Sequence, residues 1–351
     1  MSTDRILGEG YTAHRIDLGA DEEGPLIATL VHRVPTGAGV VGPPGAEKPP
    51  ILMMHGWSDY VFDRDLMEQL GHSGHDVWGL DLRKYGRSLL PGQTATAIDH
   101  LNRYDAEIGA SLRIIGRERP PILLAHSTGG LIAALWAQRS PGTVRGIALN
   151  SPWLEMHLGP VTRSLAEAPV RLLADRLRQR PILPFGSDHY ARTTHRDFGG
   201  PHDYDLTLKP AGGHRLPATT LSAIIDGQRR LAAAGPLSIP VLVLHSARSR
   251  IGPRFTEEMR RADSVLDIRS LAAAAARLGP EVRIEPVEGA RHDVFLSDAD
   301  ARSSAVAILD DWLKTPSRST STMNAPDRTA EAGTPVPERR GKEKADERGS
   351  A

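Results

Sequence analysis

Hydrophobic and polar positions follow two periods along this chain. Between residues 50 and 150, four short apolar runs have the length of buried strands: Ile51–Met54, Val77–Leu80, Ile122–Ala125 and Arg145–Leu149. Between them, Asp63–Leu70, Ala97–Arg117 and Gly129–Gln138 carry apolar residues at helical spacing. Alternating strands and helices predict an α/β fold, a mostly parallel sheet with helices on both faces. Tyr11–Leu18 and Leu26–Val34 predict a leading antiparallel pair. The rhythm stops from about Trp153 to Leu237, where Pro, Gly, His and Arg are frequent. It resumes with the strand Pro240–Leu244, a helix near Ile268–Leu278, the strand Val282–Val287 and a helix over Ala301–Leu313. Because it continues on both sides, the break predicts an insertion in one core rather than a second tandem domain. The expected division is 1–152 and 238–314 for the core, 153–237 for a cap or lid, and 315–351 for a tail. That tail is Ser/Thr, Pro, Gly and charge, with little to offset the entropy of ordering, and is expected to be disordered.

Composition narrows the chemistry. Lys+Arg and Asp+Glu are 43 each, which argues against a general nucleic-acid partner. Only six of those cations are lysines. Cysteine is absent, which excludes disulfides, thiol nucleophiles and thiolate metal sites together. The N-terminal stretch carries Asp4 and Glu9 and has no apolar core of an export signal. No run approaches 18 apolar residues, so no integral membrane segment is expected and a cytoplasmic enzyme is the default. Oligomeric state is left open.

Three segments carry candidate chemistry. In Leu123-Leu-Ala-His-Ser-Thr-Gly-Gly130 a buried strand runs straight into Ser127, and two glycines open the next helix. A serine on such a turn projects its hydroxyl clear of the sheet, and the amide of Thr128 lies at a helix N-terminus suited to a developing oxyanion. In Met53-Met-His-Gly-Trp57, Gly56 permits a tight turn that can aim the Trp57 amide at the same place. In Glu288-Gly-Ala-Arg-His-Asp293, His292 follows the carboxyl end of a strand. Parallel sheets gather such ends on one edge, so a late histidine can serve an early serine as general base.

These motifs resemble those of the α/β-hydrolases, within them the capped serine hydrolases of the monoglyceride lipase, lysophospholipase and serine aminopeptidase S33 type. The matching residues are His55-Gly56, Asp81-Leu-Arg-Lys-Tyr-Gly-Arg-Ser88, His126-Ser127-Thr-Gly-Gly130 and Gly289-Ala-Arg-His292, within a resemblance spanning roughly Arg15–Lys314. Two positions depart from the usual pattern. Ala125 replaces the first glycine of Gly-x-Ser-x-Gly, and Lys84 replaces a glycine in a loop read as scaffolding.

The acid is a third departure. Relatives commonly place Asp just after the strand matching Pro240–Leu244, where this chain has Ser249. Serine cannot carry the charge that stabilises an imidazolium. Topology asks for an acid before the helix that leads into the strand preceding His292, and Asp267 is the expected residue, with Asp263 and then Asp293 as alternatives. Asp267 could also simply cap its helix.

The resulting expectation is an esterase, lipase or lysophospholipase. Ser127, His292 and Asp267 form its triad, Trp57 and Thr128 form its oxyanion hole, and its substrate is a small acyl ester. No cofactor and no metal are expected; His189, His195, His202 and His214 lack compact zinc-ligand spacing and read as solvated loop residues. Two other readings are an aminopeptidase, which needs a carboxylate for the substrate's ammonium, and a non-catalytic binding fold. In the insertion, Arg171–Arg178 reads as a helix packing on the core, and Asp203–Pro210 has aromatic and acidic groups able to line a pocket.

Overall fold

The computed structural model describes residues 2–35, 48–156, 181–183 and 187–314. Strands β1 (Ser2–Asp4), β2 (Gly8–Asp21) and β3 (Gly24–Arg33) are each antiparallel to the next, and β3 is antiparallel to β5 (Val77–Asp81). The remaining strands of that sheet are parallel: β4 (Ile51–Met54), β6 (Ile122–His126), β7 (Gly146–Asn150), β10 (Val241–Ser246) and β11 (Val282–Val287). The sheet order is β1-β2-β3-β5-β4-β6-β7-β10-β11. A two-stranded ribbon joins β8 (Pro181–Leu183) to β9 (Leu216–Pro217).

Period-two side chains explain the layers. Leu123 and Ala125 of β6 face one core with α2 (Asp105–Ile115), α3 (Thr128–Arg139), α5 (Ala218–Ala233) and α6 (Ile268–Ala275). Ile122 and Leu124 face the other, with α1 (Arg64–His72) and α7 (Ala299–Lys314). Strands buried on both faces have no polar side to display, which is why they read as unbroken apolar runs. Edge strand β11 is only half-buried. No described helix is long and apolar enough to cross a membrane.

The structure differs from expectation at several elements. The helix expected from Ala97 begins as a 3-10 turn at Leu101–Tyr104 and becomes α-helical only at Asp105. Ile98 N–H donates instead to Thr220 Oγ1 (3.1 Å), tying this stretch to α5. Strand β7 pairs directly with β10, so the chain makes an excursion from the sheet between Asn150 and Val241. Within that excursion are α4 (His189–Thr194) and α5, and α5 joins the main core through Ala223, Ile224 and Leu231. The expected helix 171–178 and the tail 315–351 lie outside the described residues.

Buried ion pairs fix the loop after β5. Lys84, which departs from the glycine of the motif it resembles, adopts φ 62°, and its ammonium reaches Asp21 Oδ2 and Glu23 Oε2, each at 2.6 Å. The ion pairs offset the strain of that conformation. Neighbouring Arg83 donates to both carboxylate oxygens of buried Glu107 (2.9 and 2.6 Å). Glu107→Ala would leave a guanidinium in the interior without its counter-charge, and is expected to cost about 3–5 kcal/mol in urea unfolding. A loss under about 1 kcal/mol would mean the loop relaxes to hydrate Arg83.

Candidate active site

Strand order reverses at β4, whose neighbours are β5 on one side and β6 on the other. Crevices open at such switch points, above the carboxyl ends of the strands. Two turns therefore meet here, His55-Gly56-Trp57 and His126-Ser127-Thr128. Ser127 takes φ 50°, ψ −114°, a conformation a non-glycine residue holds only under constraint. Its backbone is pinned: its N–H donates to Asn150 O (2.9 Å), and its carbonyl accepts from Gly130 N (3.0 Å) and Trp153 N (3.0 Å). Gly56 is required for close approach, since a Cβ there would stand 2.9 Å from His126 Nδ1 and 3.1 Å from Ser127 Cβ. His55 fastens the first turn. Its Nε2 accepts from Leu82 N (3.1 Å), leaving Nδ1–H to donate to Gly56 O (2.8 Å), and burial lowers its pKa, which favours that neutral form.

The loop after β11 brings His292 over Ser127. Ser127 Oγ–H donates to His292 Nε2 at 3.1 Å, and His292 Nδ1–H donates to Asp263 Oδ2 at 2.9 Å. All three residues are buried. Asp263 Oδ1 accepts from Val265 N (2.8 Å) and Leu266 N (2.7 Å). Burial alone would raise the Asp263 carboxyl. The charge and hydrogen bond of His292, helped by the two amides, outweigh burial and hold it below the ordinary value.

The acid beside His292 is therefore Asp263 and not Asp267. Asp267 is the N-cap of α6, accepting from Ser270 N (3.1 Å) and Ser270 Oγ (2.7 Å). The reason lies at Ser249, the position of the usual acid. Ser249 and Asp263 form an isolated parallel bridge, with Asp263 N–H donating to Arg248 O (2.9 Å) and Arg250 N–H to Asp263 O (2.8 Å). Residues 250–262 thus loop out and return to the point of departure. Ser249 Oγ then accepts from Ile268 N (2.9 Å) and donates to Leu266 O (2.7 Å), so by Asp267 the chain has already turned into its helix. Asp293 faces elsewhere and accepts from Asn150 Nδ2 (2.6 Å).

Trp57 and Thr128 line a cavity of about 320 Å³ that also contains Ser127 and His292. Tyr190, Tyr204, Lys209 and Gly213, all from the excursion between β7 and β10, line it too. The stretch Asp203–Pro210 thus contributes to the pocket through Tyr204, Lys209 and Pro210. Sequence reasoning passed over Asp59, His126 and Lys209. The one signal was a lysine in a chain whose cations are mostly arginine. Lys209 Nζ lies 2.8 Å from Asp59 Oδ1, and His126 Nδ1 lies 3.5 Å from Asp59 Oδ2. Burial raises the Asp59 carboxyl, but the charge of Lys209 and the neighbouring His126 more than reverse this and keep it ionised. Asp59, His126 and Asp293 place one donor atom each within 4.8 Å of one another, the group among the described residues with metal-ligand proximity. The four histidines weighed for zinc do not share such a site: His195 Nε2 bonds Tyr204 O (2.9 Å) and His214 Nδ1 bonds Ser58 Oγ (2.8 Å). His189 and His195 are buried, not solvated as expected.

This fold with a serine on its strand-to-helix turn defines a class, the α/β hydrolases of serine-hydrolase type. A family model described as serine aminopeptidase, S33, matches residues 45–299, and the chain belongs to that family of hydrolases. Among similar proteins, lysophospholipase L2 of Escherichia coli (strain K12) is 27% identical over 270 residues, covering 72% of this chain and 76% of its own. Monoacylglycerol lipase of Mycolicibacterium smegmatis is 26% identical over 210 residues, 58% of this chain and 71% of its own. In fold, the chain resembles the monoacylglycerol lipase of Paleococcus ferrophilus, with TM-score 0.59, 16% identity and coverage of 86% of this chain and 98% of that one.

The pairing of Asp263 with His292 has a pH signature. Folding lowers the Asp263 carboxyl, so its contribution to stability is complete above the ordinary carboxylate range and fades as pH falls through the folded-state value. Asp263→Asn should remove this contribution and flatten the fall in melting temperature between about pH 7 and pH 3. An unchanged acid limb in that variant would argue against an ionised Asp263 carboxylate.

Proposed function

We propose that this chain is a carboxylic-ester hydrolase of the lysophospholipase or monoacylglycerol lipase type, working through Ser127, His292 and Asp263. The observation that carries the reading is the unbroken row Ser127 Oγ, His292, Asp263, with links of 3.1 and 2.9 Å, whose first two members line the cavity. The names of the similar proteins support an acyl ester as the substrate. His292 Nε2 takes the hydroxyl proton as Ser127 Oγ attacks the acyl carbonyl, and Asp263 holds the ring's orientation and stabilises the imidazolium. The amides of Trp57 and Thr128 receive the oxyanion, the second at the N-terminus of α3. His292 returns the proton to the departing alcohol oxygen, leaving an ester on Ser127. Water, deprotonated by the same nitrogen, then releases the acid. The stretch 187–213, which lines the cavity through Tyr190, Tyr204 and Lys209, acts as the cap that keeps bulk water from the intermediate.

The aminopeptidase reading needs a free carboxylate for an ammonium group. Among the described residues Asp59 is the acid on the pocket wall, and its charge is already met by Lys209 at 2.8 Å. A binding-only role would not require a serine and histidine held in bonding contact.

A fluorophosphonate probe should label Ser127 in wild type and give no adduct with Ser127→Ala. Failure to label folded wild type would remove the hydrolase mechanism. With p-nitrophenyl esters as substrates, Asp263→Asn is expected to lower kcat by about 10³–10⁴-fold. Asp267→Asn, which keeps a capping side chain, is expected to stay within about threefold. Equal losses in both variants would contradict the assignment of the acid.

A further inference from the structure

Three consecutive residues after the turn at Gly56 are bonded to one stretch of the excursion between β7 and β10. Ser58 Oγ–H donates to His214 Nδ1 (2.8 Å) and accepts from His214 N–H (2.8 Å). Asp59 Oδ1 meets Lys209 Nζ (2.8 Å), and the Tyr60 hydroxyl accepts from Asp205 N–H (2.8 Å). Ser58 holds φ 55°, so this loop is not in a conformation it would keep unaided. Of the three ties only the central one is ionic, and both of its side chains are buried.

We propose that Lys209 is a positioning residue for the reaction: it locks Asp59, and with it the loop that follows Trp57, to the segment that covers the pocket. The lock is built rather than incidental. The ammonium sits among three aromatic rings, 4.8 Å from the centroid of Phe62, 5.0 Å from Tyr204 and 5.3 Å from Tyr190. Phe62 comes from the core loop and the tyrosines from the covering segment, so the cation seats only when the two meet. The rings attract the charge on their faces while excluding water that would weaken the pair. Asp59 carries the constraint onward, because its second oxygen lies 3.5 Å from His126 Nδ1. His126 precedes Ser127, and its ring lies 5.0 Å from that of His292. Tyr190 reaches the same ring edge-on, at 5.8 Å. Covering the pocket and setting the geometry beside Trp57 and Ser127 are thus one event. A segment that had swung away would leave Asp59 without its cation.

This inference rests on the ester-hydrolase reading, and the test separates the two. Steady-state kinetics on a short-chain p-nitrophenyl ester would compare wild type with Lys209→Met, Asp59→Asn, the double variant and Lys209→Arg. Lys209→Met and Asp59→Asn are each expected to lower kcat at least tenfold with KM changed less than threefold. The double variant should lose no more than either single one, because all three delete the same interaction. Lys209→Arg should recover part of kcat. If Lys209→Met does not fold, the comparison of Asp59→Asn with the double variant, in which no orphan charge remains, carries the test. Losses that multiply, a rise in KM at unchanged kcat, or kcat within twofold of wild type would overturn the lock. Wild type inactive on every ester would instead overturn the hydrolase reading, and this one with it.

Discussion

Above the sheet, two backbones approach until only hydrogen atoms fit between them. A Cβ on Gly129 would run into the carbonyl oxygen of His55, and one on Gly56 would press on His126 and Ser127. This contact between the end of β4 and the start of α3 depends on those strands being neighbours at the point where sheet order reverses. It also explains why Ser127 can hold a positive φ. The carbonyl that would be orphaned by so sharp a turn is taken up by Gly130 and Trp153, and the amide by Asn150. A residue so fastened offers its hydroxyl in one direction, the direction from which His292 arrives.

In the proposed triad the carboxylate comes from an unexpected point of the chain. Its position is defined in space by the end of β10 and not by a count of residues. Here the chain departs at Ser249, makes an excursion through Phe255 and Met259, and returns in parallel register so that Asp263 stands beside Ser249. The excursion also braces the covering segment. Arg260 Nη1 donates to Arg192 O (2.7 Å) and Gly199 O (2.9 Å), and the Phe255 ring lies under the guanidinium of Arg192 at 5.6 Å. The loop that supplies the carboxylate therefore touches α4, whose Tyr190 packs against the imidazole bonded to that carboxylate.

Two of the chain's lysines, Lys84 and Lys209, are among its most deeply buried cations. In both places a compact charge on a flexible stem suits the site better than a planar guanidinium would. Lys84 reaches two carboxylates from a left-handed backbone, and Lys209 enters a cage of three rings. Arginine serves where a fork is wanted, as in the two-pronged contact of Arg83 with Glu107.

The alternation of apolar runs and amphipathic stretches determined the parallel sheet, its helices on both faces and the point at which the chain leaves and rejoins it. Burial on two faces writes itself into consecutive residues, and that much is local. Ser127 and His292 were legible for a related reason: each directly follows a strand, and parallel strands share one edge. Asp263 was not legible over Asp267, because both are aspartates before the same helix and their difference is a bridge register with Ser249. The late start of α2, the burial of His195 and the pairing of Lys209 with Asp59 belong with it. Each is settled by a partner far along the chain, and no periodicity within a segment carries the identity of a distant partner. Sequence fixed which strand ends face the crevice; packing between remote segments decided which side chains meet there.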